Sequence, residues 1–489
     1  MQLTELLNSI HAIQVAGDIQ RKDVSSICYD SRKVKKNSVF VAIKGFNYDG
    51  HRFIPDAINK GAIAVILKDV NSVPDGIFTH ENVAKIVVKE SRKALAEASG
   101  KLFNDPSRKI KLIGITGTNG KTTTTYFIKS ILETAGEKTG LIGTITNYIG
   151  DREIKSSLTT PESNDLNELL YEMYNEGCNY AVMEVSSHSL VLNRVYGINF
   201  SSAVFTNITS DHLDFHNTFE NYFSAKKILF DSLSSSSFAI YNSDDANSKE
   251  IIIDTKANLI SYGTSSNSDF KLKEIKYDLS GTTFTVEYKS NSYPVSTSLI
   301  GKFNAYNACA AFAVGFVHGV KDEVILKGIK NTKQVPGRFE VIGKGNKKVV
   351  IDYSHTADSL EKALGAVKDI VKGSVPIYTV FGCGGNRDKT KRPIMGRIAT
   401  ELSDYVVVTS DNPRFEDPFN IIKDIEAGIK KKNYKVIENR EEAIAYAIKN
   451  SQENAVILVA GKGHENYQEI NGVRNHFSDR EVAEKFLNK

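Results

Sequence analysis

The sequence has only four cysteines (Cys28, Cys178, Cys309 and Cys383), and no two of them form a CxxC pair. Thiols scattered this widely over 489 residues argue against a disulfide framework and a cysteine-based zinc site, and they indicate a reducing compartment. No apolar run approaches the roughly 18 residues that a transmembrane helix needs. The first residues also lack the basic and apolar segments of a signal peptide. We therefore expect a cytoplasmic protein with no membrane insertion.

Net charge is also small. The chain has 62 Lys and Arg against 58 Asp and Glu, a formal net charge of +4. Over this length such a charge does not indicate a nucleic-acid partner, so we expect local groups to hold any anionic ligand. The proportions of apolar residues (41%) and charged residues (25%) are those of an ordinary globular protein. At about 150 residues per domain, the length predicts three domains.

Residues 1–105 are predicted to form a small α/β N-terminal domain. Apolar, β-branched runs at 38–43 and 62–67 predict two strands, with a helix over 53–60 between them. A helical pattern is predicted from 83 to 102, and the turn signal Asn-Asp-Pro that follows marks the first boundary.

Residues 106–334 are predicted to form a central P-loop ATPase domain with a parallel sheet. A strand at 110–115 precedes a glycine-rich turn and a helix over 121–135, and strands recur at 180–185 and 203–206. Alternating polar and apolar residues between 259 and 299 predict an antiparallel β insert in this domain.

Residues 335–489 are predicted to form a Rossmann-like α/β domain at the C-terminal end of the chain. Helical patterns alternate there with strands at 348–351, 377–381, 405–409, 435–437 and 455–459. In such a sheet, ligands bind beyond the carboxyl ends of the strands. The fold class is therefore α/β, in three domains.

A glycine-rich loop follows the first strand of the central domain and opens a helix. It consists of Gly117, Thr118, Asn119, Gly120, Lys121, Thr122 and Thr123. Backbone N–H groups and the helix dipole of such a loop bind phosphate. Lys121 is expected to contact the β- and γ-phosphates, and the Thr122 hydroxyl to bind magnesium. The strict pattern GxxxxGK[ST] fails by one residue, since position 115 is isoleucine. We predict ATP as the ligand, with GTP as the alternative.

Two further polar residues follow strands of the same predicted sheet. Glu184 ends one strand in the segment MEVSSH, and His212 follows the next in TNITSDHLD. Because parallel strands end at one edge of a sheet, both residues are candidate ligands for a metal ion beside the phosphates. An imidazole ligand is unusual for magnesium, so His212 needs additional support.

An ordered series of motifs resembles those of the Mur ligases. The series is GTNGKTT, TTP, MEVSSH, TNITSDHLDFH, GKFNAYN, PGRFE and DYSHT. DSR, GCGGNRD, DNPR and GKGHE resemble the branch that adds meso-diaminopimelate, and the likeness spans about residues 30–468. The resemblance implies an ATP-dependent amide ligase of peptidoglycan precursor synthesis. ATP would phosphorylate the D-glutamate γ-carboxylate of UDP-N-acetylmuramoyl-L-alanyl-D-glutamate, and the diamino acid would attack the acyl phosphate.

The resemblance also implies roles for individual residues. Lys226 would be carbamylated and would help to hold Mg²⁺, with Lys227 as the alternative by one residue; Lys121, His212 and Lys226 would be catalytic. ATP would also contact Asn304, Arg338 and Asp352. The muramoyl-dipeptide nucleotide would contact the following residues: Ser31, Thr159, Thr160, Ser186 and Arg194.

The C-terminal domain is expected to hold the incoming amino acid. The matching residues are Arg387, Asp411, Asn412, Pro413, Arg414, Gly461 and Glu465. Arg414 could pair with the distal carboxylate that diaminopimelate has and lysine lacks. L-lysine and lanthionine stay open as acceptors.

A phosphate loop of this kind would also serve three other functions. These are a folylpolyglutamate-type ligase, a D-alanyl-D-alanine-adding ligase and a non-enzymatic ATP-dependent switch. We expect a monomer.

Overall fold

Three β-sheets of five, eleven and six strands follow one another along the part of the chain that the computed structural model describes, residues 1–45, 48–344 and 346–488. Helices pack on all three sheets, so the predicted α/β class with three α/β units is confirmed. Among these residues no helix is both long and apolar enough to cross a membrane.

The N-terminal sheet has the strand order β1-β5-β4-β3-β2. Its strands are β1 (Ala12–Ala16), β2 (Ser26–Cys28), β3 (Ser38–Val41), β4 (Ala62–Leu67) and β5 (Ala84–Val88). Its helices are α1 (Leu3–Leu7), α2 (Ile54–Asn59), α3 (Asp75–His80) and α4 (Ser91–Leu102), and short 3₁₀ helices span Ser31–Lys33 and Gly50–Phe53.

The predicted helix over 83–102 is wrong in its first part, because Ala84–Val88 is strand β5 and the helix begins only at Ser91. All five residues of β5 are buried between β1 and β4. A short apolar run fits a buried strand as well as a helix, and only pairing with distant strands distinguishes the two.

The central sheet has the order β16-β15-β14-β13-β12-β11-β6-β10-β7-β8-β9. The strands are β6 (Lys111–Thr116), β7 (Thr139–Ile142), β8 (Thr146–Ile149), β9 (Arg152–Lys155), β10 (Tyr180–Glu184), β11 (Ser202–Phe205), β12 (Phe238–Asn242), β13 (Asn258–Gly263), β14 (Phe270–Asp278), β15 (Gly281–Tyr288) and β16 (Asn291–Thr297). The helices are α5 (Lys121–Thr134), α6 (Ser163–Asn175), α7 (Ser187–Val191), α8 (Leu213–His216), α9 (Phe219–Asp231), α10 (Ser248–Ile251), α11 (Lys302–Val317) and α12 (Asp322–Asn331).

Strand β6 lies in the middle of this sheet and pairs in parallel with β10 and β11. Strands β14, β15 and β16 are antiparallel to one another, as predicted for the insert. The insert also pairs in parallel with β13 through Phe270 and Lys271, so it extends the central sheet. The carboxyl ends of β6, β10 and β11 therefore meet at one edge, where the loop before α5 lies.

The C-terminal sheet has the order β17-β18-β22-β19-β20-β21, and all neighbours are parallel except the edge strand β17. Its strands are β17 (Glu340–Lys344), β18 (Lys347–Asp352), β19 (Ile377–Phe381), β20 (Tyr405–Val408), β21 (Tyr434–Val436) and β22 (Val456–Ala460), and β23 (Tyr467–Ile470) and β24 (Val473–His476) form a separate ribbon. The helices are α13 (Ala357–Val371), α14 (Lys391–Leu402), α15 (Pro418–Glu426), α16 (Arg440–Asn450) and α17 (Asp479–Leu487).

Candidate active site

The glycine-rich loop connects β6 to α5 in a conformation that depends on glycine. Gly120 caps the helix with φ 89°. Gly117 has φ 149°, and a Cβ there would lie 1.9 Å from Thr206 Oγ1. Lys121 Nζ turns back over the loop and donates to the carbonyls of Gly117 (2.8 Å) and Thr118 (2.9 Å). Burial lowers the pKa of Lys121, although Glu184 and Asp211 oppose this shift.

Two residues at the end of β11, which we did not predict, hold this loop. Asn207 Oδ1 accepts from the Asn119 backbone N–H at 3.0 Å, and Asn207 Nδ2 donates to the Asn119 carbonyl at 3.1 Å. Thr206 Oγ1 donates to the same carbonyl at 2.6 Å. The signal that could have found them is the polar segment at the end of a predicted strand, which also contains His212.

Glu184 lies buried at the end of β10, directly beside the start of α5. Its Oε2 accepts from Thr122 Oγ1 at 3.0 Å. Its carboxylate also accepts from the Thr144 backbone N–H at 2.8 Å and from Thr144 Oγ1 at 3.1 Å. The Thr122 hydroxyl and the Glu184 carboxylate are hard oxygen ligands of the kind that Mg²⁺ prefers. Thr144 was missed because a threonine after a short strand has no distinctive pattern.

His212 lies at the other side of this edge, before α8, with φ 54°. Its ring packs 4.9 Å from the ring of His188, centroid to centroid. Burial lowers the pKa of His212 to about 4, so its imidazole is neutral near pH 7. Among the described residues, no three His, Cys, Asp or Glu side chains form a cluster suited to a metal. A cation at this edge would therefore also need hydroxyl, carbamate or water ligands.

Lys226 and Lys227 lie next to each other on α9 but have opposite surroundings. Lys226 is 1% exposed, its Nζ donates to the Gly117 carbonyl at 2.9 Å, and it lies 4.4 Å from the Tyr222 ring centroid. Burial, with the charge of Lys121, holds the pKa of Lys226 well below its usual range.

Lys227 forms ion pairs with Asp231 (2.6 Å) and Asp254 (2.5 Å) at the surface. Partial burial opposes protonation, but these two carboxylates raise the pKa of Lys227 overall. Of the two lysines, only Lys226 directs its amine towards the glycine-rich loop.

A cavity of about 480 Å³ opens between the glycine-rich loop, α11 and the C-terminal domain. Five of the predicted ATP-binding residues line it: Asn119, Gly120, Thr123, Arg338 and Asp352. Asn304 does not line this cavity. It is buried, donates to the Ile300 carbonyl at 2.9 Å, and accepts from Asn307 Nδ2 at 3.0 Å. Asn307 is the member of this pair that faces the cavity.

Arg338 and Asp352 bring the C-terminal domain to this cavity. Arg338 Nη2 donates to Thr122 Oγ1 at 3.3 Å, and its guanidinium lies 4.7 Å from the Tyr353 ring centroid. Asp352 Oδ2 accepts from the Phe339 backbone N–H at 2.7 Å, and burial raises the pKa of Asp352. Arg338 Nε is buried and has no hydrogen-bond partner within the described part of the chain, so the guanidinium can accept an anionic ligand.

Asp358, in the first turn of α13, makes a second contact between the two domains. Its Oδ2 accepts from Asn119 Nδ2 at 3.1 Å and from Thr209 Oγ1 at 3.2 Å. Lys362 Nζ donates to the same oxygen at 2.9 Å. A carboxylate of the C-terminal domain thus touches the glycine-rich loop of the central domain.

Four of the five predicted dipeptide-binding residues form one network beside Glu184. Thr160 Oγ1 donates to the Glu184 carbonyl at 2.8 Å and accepts from the Ser186 backbone N–H at 3.1 Å. Arg194 Nη1 donates to the Thr160 carbonyl at 3.1 Å, and the hydroxyls of Thr159 and Thr144 are 3.0 Å apart. Ser31 lies apart from this network, in the N-terminal domain. It is buried, and Lys60 Nζ donates to its carbonyl at 3.2 Å.

A second cavity, of about 520 Å³, lies at the carboxyl edge of the C-terminal sheet. Six of the seven residues predicted for the incoming amino acid line it, together with His212: Arg387, Asp411, Asn412, Arg414, Gly461 and Glu465. The seventh, Pro413, does not line it, and its carbonyl packs against Gly385. Because Asp211, His212 and Asp214 also line this cavity, it opens towards the central domain.

The charged groups of this cavity are held by different means. Arg414 has φ 53°, and its Nη1 donates to the Gly385 carbonyl at 2.8 Å. Burial, reinforced by Asp411, raises the pKa of Glu465. The Arg387 side chain is 57% exposed and lies 3.7 Å from Asp214 across the domain boundary. The cavity thus offers two guanidinium groups and an acid, which suits a ligand with charges of both signs.

The glycine-rich loop at the edge of the central sheet and the charged cavity at the carboxyl edge of the C-terminal sheet suit a nucleotide-dependent enzyme that joins two substrates. Three family models match the chain: "Mur ligase family, catalytic domain" at residues 23–109, "Mur ligase middle domain" at 115–315 and "Mur ligase, glutamate ligase domain" at 337–463. The chain belongs to the Mur ligase family, which confirms the resemblance inferred from the motifs.

Curated relatives match along the whole chain. The UDP-N-acetylmuramoyl-L-alanyl-D-glutamate–2,6-diaminopimelate ligase of Clostridium tetani is 45% identical, over 100% of this chain and 99% of that protein. The ligase of the same name from Bacillus cereus is 44% identical, over 100% and 98%. A solved structure of a ligase of that name has a TM-score of 0.70 and 31% identity, over 100% of this chain and 99% of its own. MurF from Acinetobacter baumannii, at 19% identity and a TM-score of 0.69, shares the fold.

Proposed function

We propose that this chain is an ATP-dependent ligase that adds meso-diaminopimelate to UDP-N-acetylmuramoyl-L-alanyl-D-glutamate in peptidoglycan precursor synthesis. The observation that supports this best is the cavity of about 520 Å³ at the carboxyl edge of the C-terminal sheet, which we call the acceptor cavity. Six residues predicted from separate motifs line one space that also contains His212 of the central domain. The curated relatives of this chain have the same activity in their names.

The reaction requires two anions, the γ-phosphate of ATP and the γ-carboxylate of the D-glutamyl residue, to be brought together. The carboxylate oxygen attacks the γ-phosphorus, ADP leaves, and an acyl phosphate forms. The amine of the diamino acid then attacks the acyl carbon, and the tetrahedral intermediate expels phosphate and loses a proton to give the amide. The protein contributes alignment and charge neutralisation.

Lys121 and the N-terminus of α5 neutralise the transferring phosphoryl group, and Arg338 approaches it from the C-terminal domain. Thr122, Glu184, His212 and carbamylated Lys226 would hold Mg²⁺, which supplies Lewis-acid charge at the phosphate oxygens when bound. The hydrogen bond between Thr122 and Glu184 places two suitable oxygens together. Thr159, Thr160, Ser186 and Arg194 would orient the dipeptide next to that site, and Ser31 would contact the uridine-diphosphate part.

The surroundings of Lys226 support its carbamylation. A neutral amine attacks the carbon of CO₂, and loss of one proton leaves a carbamate anion with two oxygen donors. The lowered pKa of Lys226 favours the neutral amine that this reaction needs, whereas the raised pKa of Lys227 opposes it.

Phosphate release tests the proposed function. The assay supplies ATP, Mg²⁺ and UDP-N-acetylmuramoyl-L-alanyl-D-glutamate together with meso-diaminopimelate, lanthionine, L-lysine or D-alanyl-D-alanine. We expect release that depends on both the nucleotide-sugar dipeptide and diaminopimelate. Nucleotide turnover that does not depend on any acceptor would instead support an ATP-dependent switch.

We also propose that the ligase acts as a cytoplasmic monomer, which sedimentation of the purified protein and fractionation of cells would test.

A further inference from the structure

A buried lysine contacts two residues that line the acceptor cavity, and it has no role in the site described above. Lys462 follows β22 and is 0% exposed. Its Nζ donates to Asn412 Oδ1 at 3.1 Å and to Glu465 Oε2 at 3.3 Å. It also lies 5.5 Å from the Tyr467 ring centroid. A buried ammonium is costly unless it is paired, so a lysine at this position needs a reason.

The contacts of Lys462 determine which way the amide of Asn412 faces. Asn412 Oδ1 accepts from Lys462 Nζ and also from the Glu469 backbone N–H at 3.0 Å. Both partners can only donate, so the oxygen of the amide must lie on their side. Asn412 Nδ2 is therefore turned to the other side, where it donates to Glu465 Oε2 at 2.8 Å. An amide nitrogen carries two hydrogens, and within the described residues Asn412 Nδ2 makes this one hydrogen bond, so one N–H remains for a ligand carboxylate.

The same lysine also fixes Glu465. Oε2 of this carboxylate accepts from both Lys462 and Asn412, and the side chain is largely buried. With one oxygen held by a buried cation, this carboxylate is kept in a single orientation, and the charge of Lys462 opposes the rise that burial causes in the pKa of Glu465. Its second oxygen can then accept from the ammonium group of a ligand.

We propose that Lys462 is a positioning residue that determines selectivity for the amino-acid acceptor. By orienting Asn412 and Glu465 together, it arranges one donor for a carboxylate and one acceptor for an ammonium group, the two charges of an amino-acid end. This inference rests on the proposed function, and it assigns Lys462 no contact with ATP or with the nucleotide-sugar dipeptide.

Steady-state kinetics of Lys462→Met test the proposal. We expect the KM for diaminopimelate to rise about tenfold to hundredfold, because the variant loses hydrogen bonds to charged groups. The KM values for ATP and for the nucleotide-sugar dipeptide should stay within about twofold, because Lys462 touches neither predicted site. Lys462→Arg, which keeps the charge, should give a KM for diaminopimelate between those of the wild type and Lys462→Met.

Lys347→Met provides the matched control. Lys347, at the start of β18 in the same domain, donates to the carbonyls of Ile448 (2.6 Å) and Ser451 (3.1 Å), far along the strand from the cavity. We expect this variant to keep all three KM values.

The outcomes separate the two proposals. A wild type that releases no phosphate with diaminopimelate refutes the proposed function itself. An active wild type with an unchanged diaminopimelate KM in Lys462→Met, or with all three KM values raised together, overturns the positioning role. If Lys462→Met does not melt cooperatively, Lys462→Gln replaces it. Failure of both variants to fold also counts against the proposal, because the lysine would then serve the fold.

Discussion

Two sheet edges meet across the domain boundary but are built differently. We call the edge of the central sheet proposed to bind ATP the nucleotide edge, and the edge of the C-terminal sheet that lines the proposed amino-acid cavity the acceptor edge. The first consists mainly of one contiguous loop, 117–123, whose backbone is shaped by glycines and by the start of α5. The second consists of side chains from separate loops after β19, β20 and β22. Backbone groups provide the first site, whereas packing between distant segments provides the second.

Buried charges hold the acceptor edge together. Arg440 is fully buried, its Nε lies 2.7 Å from Asp479 Oδ1, and its Nη2 donates to the Ala460 carbonyl at 3.0 Å. Arg440 Nη1 also lies 4.0 Å from Asp411. The nucleotide edge is thus expected to respond mainly to the loss of a charge, and the acceptor edge to any change in how its loops are held. Four predictions test this difference.

Lys121→Ala should have the largest effect and should act on catalysis alone. The charge at the transferring phosphoryl group is lost, and a missing electrostatic contact of this kind lowers kcat by about 100- to 1,000-fold. Because the hydrogen bonds of Lys121 Nζ within the described chain go to loop carbonyls, the fold should persist. Phosphate release and thermal unfolding measure the two effects. Near-normal turnover would contradict the assignment of the nucleotide edge.

Lys226→Ala should lower activity strongly, and Lys227→Ala should not. The first variant removes the buried amine that faces the loop, whereas the second removes two surface ion pairs of small energetic value. Added short-chain carboxylates should partly restore Lys226→Ala by supplying the missing anion. Mass analysis of the intact wild type in bicarbonate should show the carbamate. A fully active Lys226→Ala, or a free amine under turnover conditions, would count against carbamylation.

Arg414→Ala should change selectivity at the acceptor edge and leave the nucleotide edge unaffected. Arg414 is partly buried, and a hydrogen bond to a charged group contributes about 1.5–3 kcal/mol, so the wild type should favour diaminopimelate over L-lysine by roughly one to two orders of magnitude. The variant should have a higher KM for diaminopimelate, a smaller gap to L-lysine and an unchanged KM for ATP. Competition between the two amino acids measures this. A wild type that uses both equally well would refute the interpretation of Arg414.

Glu416→Gln should have the smallest effect, on stability and with a pH dependence. Glu416 accepts from Nη1 and Nη2 of the buried Arg392, both at 3.1 Å, and Arg392 chiefly lowers the pKa of Glu416 to about 2. The folded pKa is below the unfolded value, so the stabilisation is present above about pH 4.5 and is lost as the pH falls towards 2.

We expect Glu416→Gln to lower the free energy of unfolding by about 1–2 kcal/mol at pH 7. The difference in Tm between wild type and variant should shrink steadily below pH 4.5. A difference that stays constant down to pH 3 would show that the charge of Glu416 does not contribute to stability.

The two edges also differ in how far the sequence predicted them. The glycine-rich loop was predicted with its strand and helix because the signal lies within a few consecutive residues. Its supports Asn207 and Thr144 were missed, since their roles appear only when separate strands align. At the acceptor edge the motifs predicted six of the residues that line the cavity. Lys462, one lysine among many, has no local signal that distinguishes it from a surface lysine.

The same limit explains the errors in secondary structure. Strand β5 was taken for part of a helix because no glycine or proline separates it from α4. The antiparallel insert was predicted from its alternation, but its attachment to the central sheet was not, because the parallel pairing of β14 with β13 involves only two residue pairs. Long-range pairing decides such cases, and local patterns do not contain it.

The contact of Asp358 with Asn119 has a thermodynamic consequence. A phosphate held by the loop of Asn119 would bring negative charge close to the Asp358 carboxylate, so nucleotide binding and docking of α13 would influence each other. By linkage, if the nucleotide changes the free energy of docking by a certain amount, docking changes the free energy of nucleotide binding by the same amount. Because α13 belongs to the domain proposed to hold the acceptor, a ligand of the amino-acid cavity would change ATP affinity only to the extent that it changes this docking, across two sites that share no ligand atom.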